Sequence, residues 1–123
     1  MPGALELRRI EKLVKMHYTE RSDLPPTATP MPGAKEAICS SPNTELPARP
    51  ETDWTADPGW AAIGFTIEGP SRVSYSWTRT SATTGFATSD ADLDCDGIYR
   101  SQRVDIAITP DGMTATYSDP TDD

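Results

Sequence analysis

Hydrophobic and polar positions follow two different periods along this chain, and the change of period divides it. Between Leu5 and Glu20 (LELRRIEKLVKMHYTE) the apolar residues Leu7, Ile10, Val14 and Tyr18 recur at spacings of three, four and four, and Leu13 and His17 widen the stripe. That is the helical period, in a segment rich in helix formers and free of Gly and Pro. It predicts one amphipathic helix over 5–20. Ser22-Asp23-Leu24-Pro25-Pro26 closes it, because the residue before a proline avoids helical backbone. Glu11, four residues ahead of Lys15, adds a favourably oriented pair on the exposed side.

From 25 to 58 no period is sustained, and eight of the twelve prolines fall here. The segment reads as a long αβ loop rather than a helix, with Cys39, Trp54 and Trp60 as the means of pinning it over the core. Beyond it, over 61–117, the period becomes two. Ala62–Glu68 alternates with Ile63, Phe65 and Ile67 on one face, and Gly69-Pro70 makes a turn. Arg72–Thr78 places Val73, Tyr75 and Trp77 inward against Ser74, Ser76 and Thr78. Thr84–Ser89 follows, then Tyr99–Ile108 with Val104, Ile106 and Ile108 inward, and Met113–Tyr117 adds a short last strand. A sheet with one apolar face must cover it, and the helix stripe is the available lid. The expected fold class is therefore α+β: one N-terminal amphipathic helix on a four- to five-stranded antiparallel sheet, with 1–123 as a single domain. The aromatics Phe65, Tyr75, Trp77 and Tyr99 read as core on this layout.

Length and composition narrow the functions such a domain can have. A chain of 123 residues holds one modest core and not two. With 11 basic against 19 acidic residues the net charge is −8, which repels nucleic-acid phosphates and anionic lipid, so no nucleic acid is expected as a partner. The charge is unevenly spread: residues 1–21 carry five bases and three acids, 22–89 four and seven, 90–123 two and nine. A mildly basic start and a strongly acidic end could orient contacts between copies, or simply keep the domain in solution. No stretch of 18 or more apolar residues is present, so this segment does not itself span a membrane.

Candidate chemistry is sparse. Cys39 and Cys95 sit in polar sequence without metal-ligand spacing, which argues against zinc. In an oxidising compartment they would form one bridge closing a loop of more than fifty residues, stabilising by roughly 4 kcal/mol in the chain-entropy model; two buried thiols in a reducing compartment is the other reading. Asp92, Asp94, Asp96 and Gly97 match positions one, three, five and six of a calcium loop, with the Ile98 carbonyl at position seven. Arg103 stands where the bidentate Glu belongs, so Ca2+ competes with a plain polar turn whose Asp side chains cap backbone N–H groups. The single His17 lies at the edge of the apolar stripe with no Cys nearby. With no nucleophile elbow and no phosphate loop, the chain reads as non-enzymatic.

The helix running into a proline-ended segment (LVKMHYTERSDLP), the block DPGWAAIGFTIEGPSRVSYSW and the acidic DLDCDG step at Asp92–Gly97 together resemble the globular part of type IV pilins and pilin-like proteins. The resemblance covers nearly the whole chain. Cys95 departs from it, standing where a Gly is common in the acidic loop. The resemblance implies a structural subunit of an extracellular filament, a major or minor pilin or a pseudopilin, held at the periplasmic face of the inner membrane before assembly. It also implies an apolar anchor helix ahead of this segment, either cut away or carried on a separate short chain as in a split pilin. That helix would be the route to other pilin subunits and the sole membrane contact, which makes this globular part alone a monomer. The competing reading is a secreted, adhesin-like binding module.

Overall fold

The computed structural model of the chain describes residues 4–33, 38, 46–67, 69–91 and 100–118. It is α+β, with helices on one face of a five-stranded antiparallel open sheet. In chain order the elements are α1 (Ala4–Arg21), β1 (Ala28–Met31), α2 (Glu51–Ala56), α3 (Pro58–Ile63), β2 (Val73–Arg79), β3 (Thr84–Ala91), β4 (Arg100–Thr109) and β5 (Gly112–Tyr117), and the strands lie side by side in that order.

α1 forms where the helical period places it, and Leu7, Ile10 and Val14 are completely buried. It lies over β3 and β4 and against α3. The helix-facing side of β3 explains the close fit, since it offers only Gly85, Ala87, Ser89 and Ala91, small side chains that leave room for a helix above them. Larger residues flank this trough: Val73, Tyr75 and Trp77 on β2, Val104 and Ile106 on β4. Gly85 is required there, because a Cβ would lie 2.6 Å from the Trp77 ring and 2.8 Å from the Thr78 carbonyl oxygen. α1 ends at Ser22, whose φ of 57° is left-handed and whose N–H bonds the Tyr18 carbonyl at 2.7 Å. Arg79, at the end of β2, grips Asp23 with two guanidinium nitrogens (2.9 and 3.4 Å) and fixes where the chain leaves the helix.

The expected strand count is right, but its membership differs. The described part of the expected strand Ala62–Glu68 is not a strand: residues through Ile63 complete α3, and Phe65–Ile67 carry no ladder. The physical reason is local. Asp57 caps the helix N-terminus, Pro58 occupies its first turn, and Gly64 closes it at φ 69°. Those three signals override an alternation of only three apolar residues. The vacant place in the sheet is taken by β1, inside the segment read as loop. Ala28 pairs with Trp77 and Met31 with Tyr75, so three steps on β1 match two on β2 and one residue bulges. Pro30 is tolerated because β1 is an edge strand. The reading of 25–58 as wholly non-helical also fails at α2, which buries Trp54.

Candidate functional site

The sequence motif DPGW is a clasp. Asp57 Oδ1 accepts from the backbone N–H groups of Gly59 (3.0 Å) and Trp60 (3.3 Å), and Oδ2 accepts from the Thr29 N–H (3.1 Å) and hydroxyl (2.5 Å). Trp60 Nε1 returns a bond to the Thr29 carbonyl at 2.8 Å. Thr29 is thus held three ways, and β1 is tied to α3. Burial alone would raise the Asp57 carboxyl, but bonds from Thr29, Trp60 and Gly59 outweigh it and hold the pKa below the ordinary value. Gly59 permits the approach: a Cβ there would lie 2.5 Å from the Ala28 Cβ and 2.6 Å from the Pro26 carbonyl oxygen. Around the clasp Trp54, Trp60, Phe65 and Tyr75 meet with ring centroids 5.1 to 5.9 Å apart. All four are buried, so the aromatics of this region build core rather than a ligand platform.

Of the residues singled out for chemistry, Asp92, Asp94, Asp96 and Ile98 of the calcium-loop reading and both Cys39 and Cys95 lie outside the described residues. Among the described residues no three His, Cys, Asp or Glu side chains converge on a point where a metal ion could sit. His17 Nδ1 is 3.0 Å from the Asp23 carbonyl oxygen. A carbonyl only accepts, so the ring donates from Nδ1 and fastens the end of α1.

Two features escaped the sequence reading. The first is a cavity of about 140 Å³ beside the aromatic cluster, lined by Arg49, Glu51, Trp54, Thr66 and Ile67. The buried Trp54 Nε1 has no acceptor among the described residues. The space is roomy enough for water and falls short of the ~300 Å³ at which small-molecule sites begin.

The second is the solvent face of α1. Leu5 and Met16, 80% and 51% exposed, are the two large apolar side chains left uncovered among the described residues, and both lie on this face. A shallow cavity of about 370 Å³ runs along it, lined by Lys12, Lys15, Met16, Thr19 and Glu20. Arg9 at its margin is committed, stacked on Phe65 and bonded to Glu6 and the Thr66 carbonyl. Arg8 stacks on Tyr117, whose hydroxyl donates to Glu11. Lys12 and Lys15 have no ion-pair partner among the described residues. The periodicity that found the buried stripe treats the opposite face as merely polar, which is why this combination was missed.

No protein-family model, curated protein or solved structure matches the chain. Among the described residues no helix is long and apolar enough to cross a membrane.

Proposed function

We propose that this chain is a non-enzymatic structural subunit of a type IV pilus or a related extracellular filament. The observation that carries the reading is the order of parts: a long N-terminal helix half sunk in an antiparallel sheet, a DPGW block in the crossing segment, and the acidic DLDCDG step between β3 and β4. The helix-first layout supports it, because a helix buried along one side only can continue as a spine while the sheet and crossing segment face outward. In this role the domain works by presenting surfaces.

The test is immunogold labelling of filaments sheared from the source cells, using antibodies raised against this chain. Label along the filaments is the expected result. Chain recovered only as free protein in the medium, with bare filaments, overturns the reading and favours a secreted binding module.

A further inference from the structure

We propose that β5 is an open sheet edge on which a second copy of this chain docks its own β5, antiparallel and centred on Ala115, so that two sheets join into one. The proposal stands apart from the filament reading, because two copies joined in this way close on each other. Three observations support it.

First, the two edges of the sheet are treated unequally. At the β1 edge the backbone groups of Thr29 are taken, its N–H by Asp57 and its carbonyl by Trp60 Nε1, and Pro30 has no N–H to offer. β1 is also short and bulged. Such devices keep an edge from pairing with another chain. β5 has none of them: Gly112–Tyr117 (GMTATY) holds no proline and no charged side chain, and its register against β4 runs without a shift. Among the described residues each copy therefore offers one open edge. Pairing of β5 on β1 is blocked, and β5 on β5 is what a second copy can supply.

Second, the backbone groups left open complement themselves. Ile108 gives its N–H to Thr83 on the β3 side of β4, and Ser118 gives its N–H to the Arg103 carbonyl on the β5 side. Bonded pairs alternate along an antiparallel ladder, so Gly112, Thr114 and Thr116 bond to β4, while Met113, Ala115 and Tyr117 turn their N–H and C=O groups outward. A copy laid antiparallel about Ala115 sets Ala115 against Ala115 and Met113 against Tyr117. Every outward donor and acceptor of the three residues then meets its match.

Third, the side chains fit the same register. Met113, Ala115 and Tyr117 are half-buried where the core layer runs out at the edge. The pairing lays each Met113 beside the Tyr117 of the other copy, and covers both. Arg8 stacked on the Tyr117 ring and Glu11 bonded to its hydroxyl hold that ring in place. On the opposite face Thr114 meets Thr116, a favourable cross-strand pair.

The size of the contact sets its strength. Six residues at about 3.4 Å each make a strip about 20 Å long and about 10 Å thick, well below the roughly 800 Å² per partner of a stable pair. Each copy also carries a net charge of −8. The domain is therefore a monomer at micromolar concentration and pairs as the concentration approaches millimolar. Added salt strengthens the pair by screening the repulsion.

The experiment follows the nitrogen-15-labelled full chain by amide magnetic resonance from micromolar to millimolar concentration. Hydrogen-exchange protection should rise with concentration at Met113, Ala115 and Tyr117 and stay level at Thr114 and Thr116, which β4 already holds. Mixed carbon-13-labelled and unlabelled chain should give an intermolecular contact between the α-protons of Thr114 and Thr116, which face each other across the pair. In sedimentation equilibrium A115P, which removes the central N–H at an outward position that proline tolerates, should associate at least tenfold more weakly than the natural chain. T114K/T116K should do the same, because it sets like charges opposite each other even as it lowers the overall repulsion between copies. Circular dichroism checks that each variant folds. Protection that ignores the alternation, association unchanged in T114K/T116K, or salt that weakens association overturns the proposal. So does protection of the outward amides that appears on adding an alternating Thr-Val peptide and never with the chain alone, which would assign the edge to a foreign strand.

Discussion

Asp57 accepts four hydrogen bonds from two segments that are far apart in the chain, so its removal should be felt both locally and at a distance. Losing a helix cap costs about 1 kcal/mol, and leaving a buried donor unmatched costs roughly 1–3 kcal/mol more. Asp57→Ala should destabilise by about 3 kcal/mol in urea unfolding, and Asp57→Asn, which keeps an acceptor, by less. The depressed carboxyl also predicts a pH dependence. A group whose folded pKa lies below its unfolded value, here 3.8, contributes in full above that value and loses its contribution as pH falls through the folded one. Acid unfolding monitored by tryptophan fluorescence should begin below about pH 4, and its slope should flatten in Asp57→Asn. Ser22 points the other way. A non-glycine residue at φ 57° carries strain of about 1 kcal/mol, so Ser22→Gly should raise stability by roughly 0.5–1 kcal/mol and the midpoint of thermal unfolding with it.

At the scale of elements, what the sequence shows and what it hides have separate physical causes. α1, β2, β3, β4 and β5 were legible because each runs six residues or more with one face turned to the core, fully buried in the first four and half-buried in β5, so the period repeats often enough to be read. β1 was not, because four residues with a proline and a bulge carry no period, and its place is set by the bonds Thr29 donates to Asp57 and accepts from Trp60 rather than by a pattern of its own. α3 was legible in principle from Asp57, Pro58 and Gly64, but Ile63, Phe65 and Ile67 mimic a strand. The solvent face of α1 is invisible to any argument from burial. The dependence of β1 on α3 is itself testable. Gly59→Ala puts a methyl against backbone, which cannot rotate away as a side chain could, and overpacking of this kind costs about 3 kcal/mol or more. Hydrogen exchange should show protection falling first in β1 and α3 while the β3–β4 ladder holds.

Over the whole molecule, two tyrosines report on whether the helical layer stays seated on the sheet. Tyr75 on β2 and Tyr117 on β5 stand on either side of α1, close to Glu6 and Glu11 respectively. Burial chiefly, and the Glu6 charge next, push the Tyr75 phenol up to about 12. Burial of Tyr117, its bond to Glu11 and that carboxylate's charge raise the phenol well above its ordinary value, while Arg8 lowers it by a smaller amount. Both groups hold their protons more tightly when folded than when unfolded. Their stabilising contribution is complete below the unfolded value of 10 and is lost as pH rises through the folded ones. Phenolate absorbance should therefore show these two tyrosines still protonated near pH 10, where an exposed tyrosine ionises, and ionising together with unfolding only as pH climbs above that toward about 12 and beyond. Tyr117→Phe should lower stability at neutral pH, since Glu11 loses a donor, and flatten this alkaline transition. If Tyr75 instead ionised near pH 10 with the far-ultraviolet spectrum unchanged, α1 would not be sealing the sheet, and the one-sided burial that leaves its other face free would be wrong.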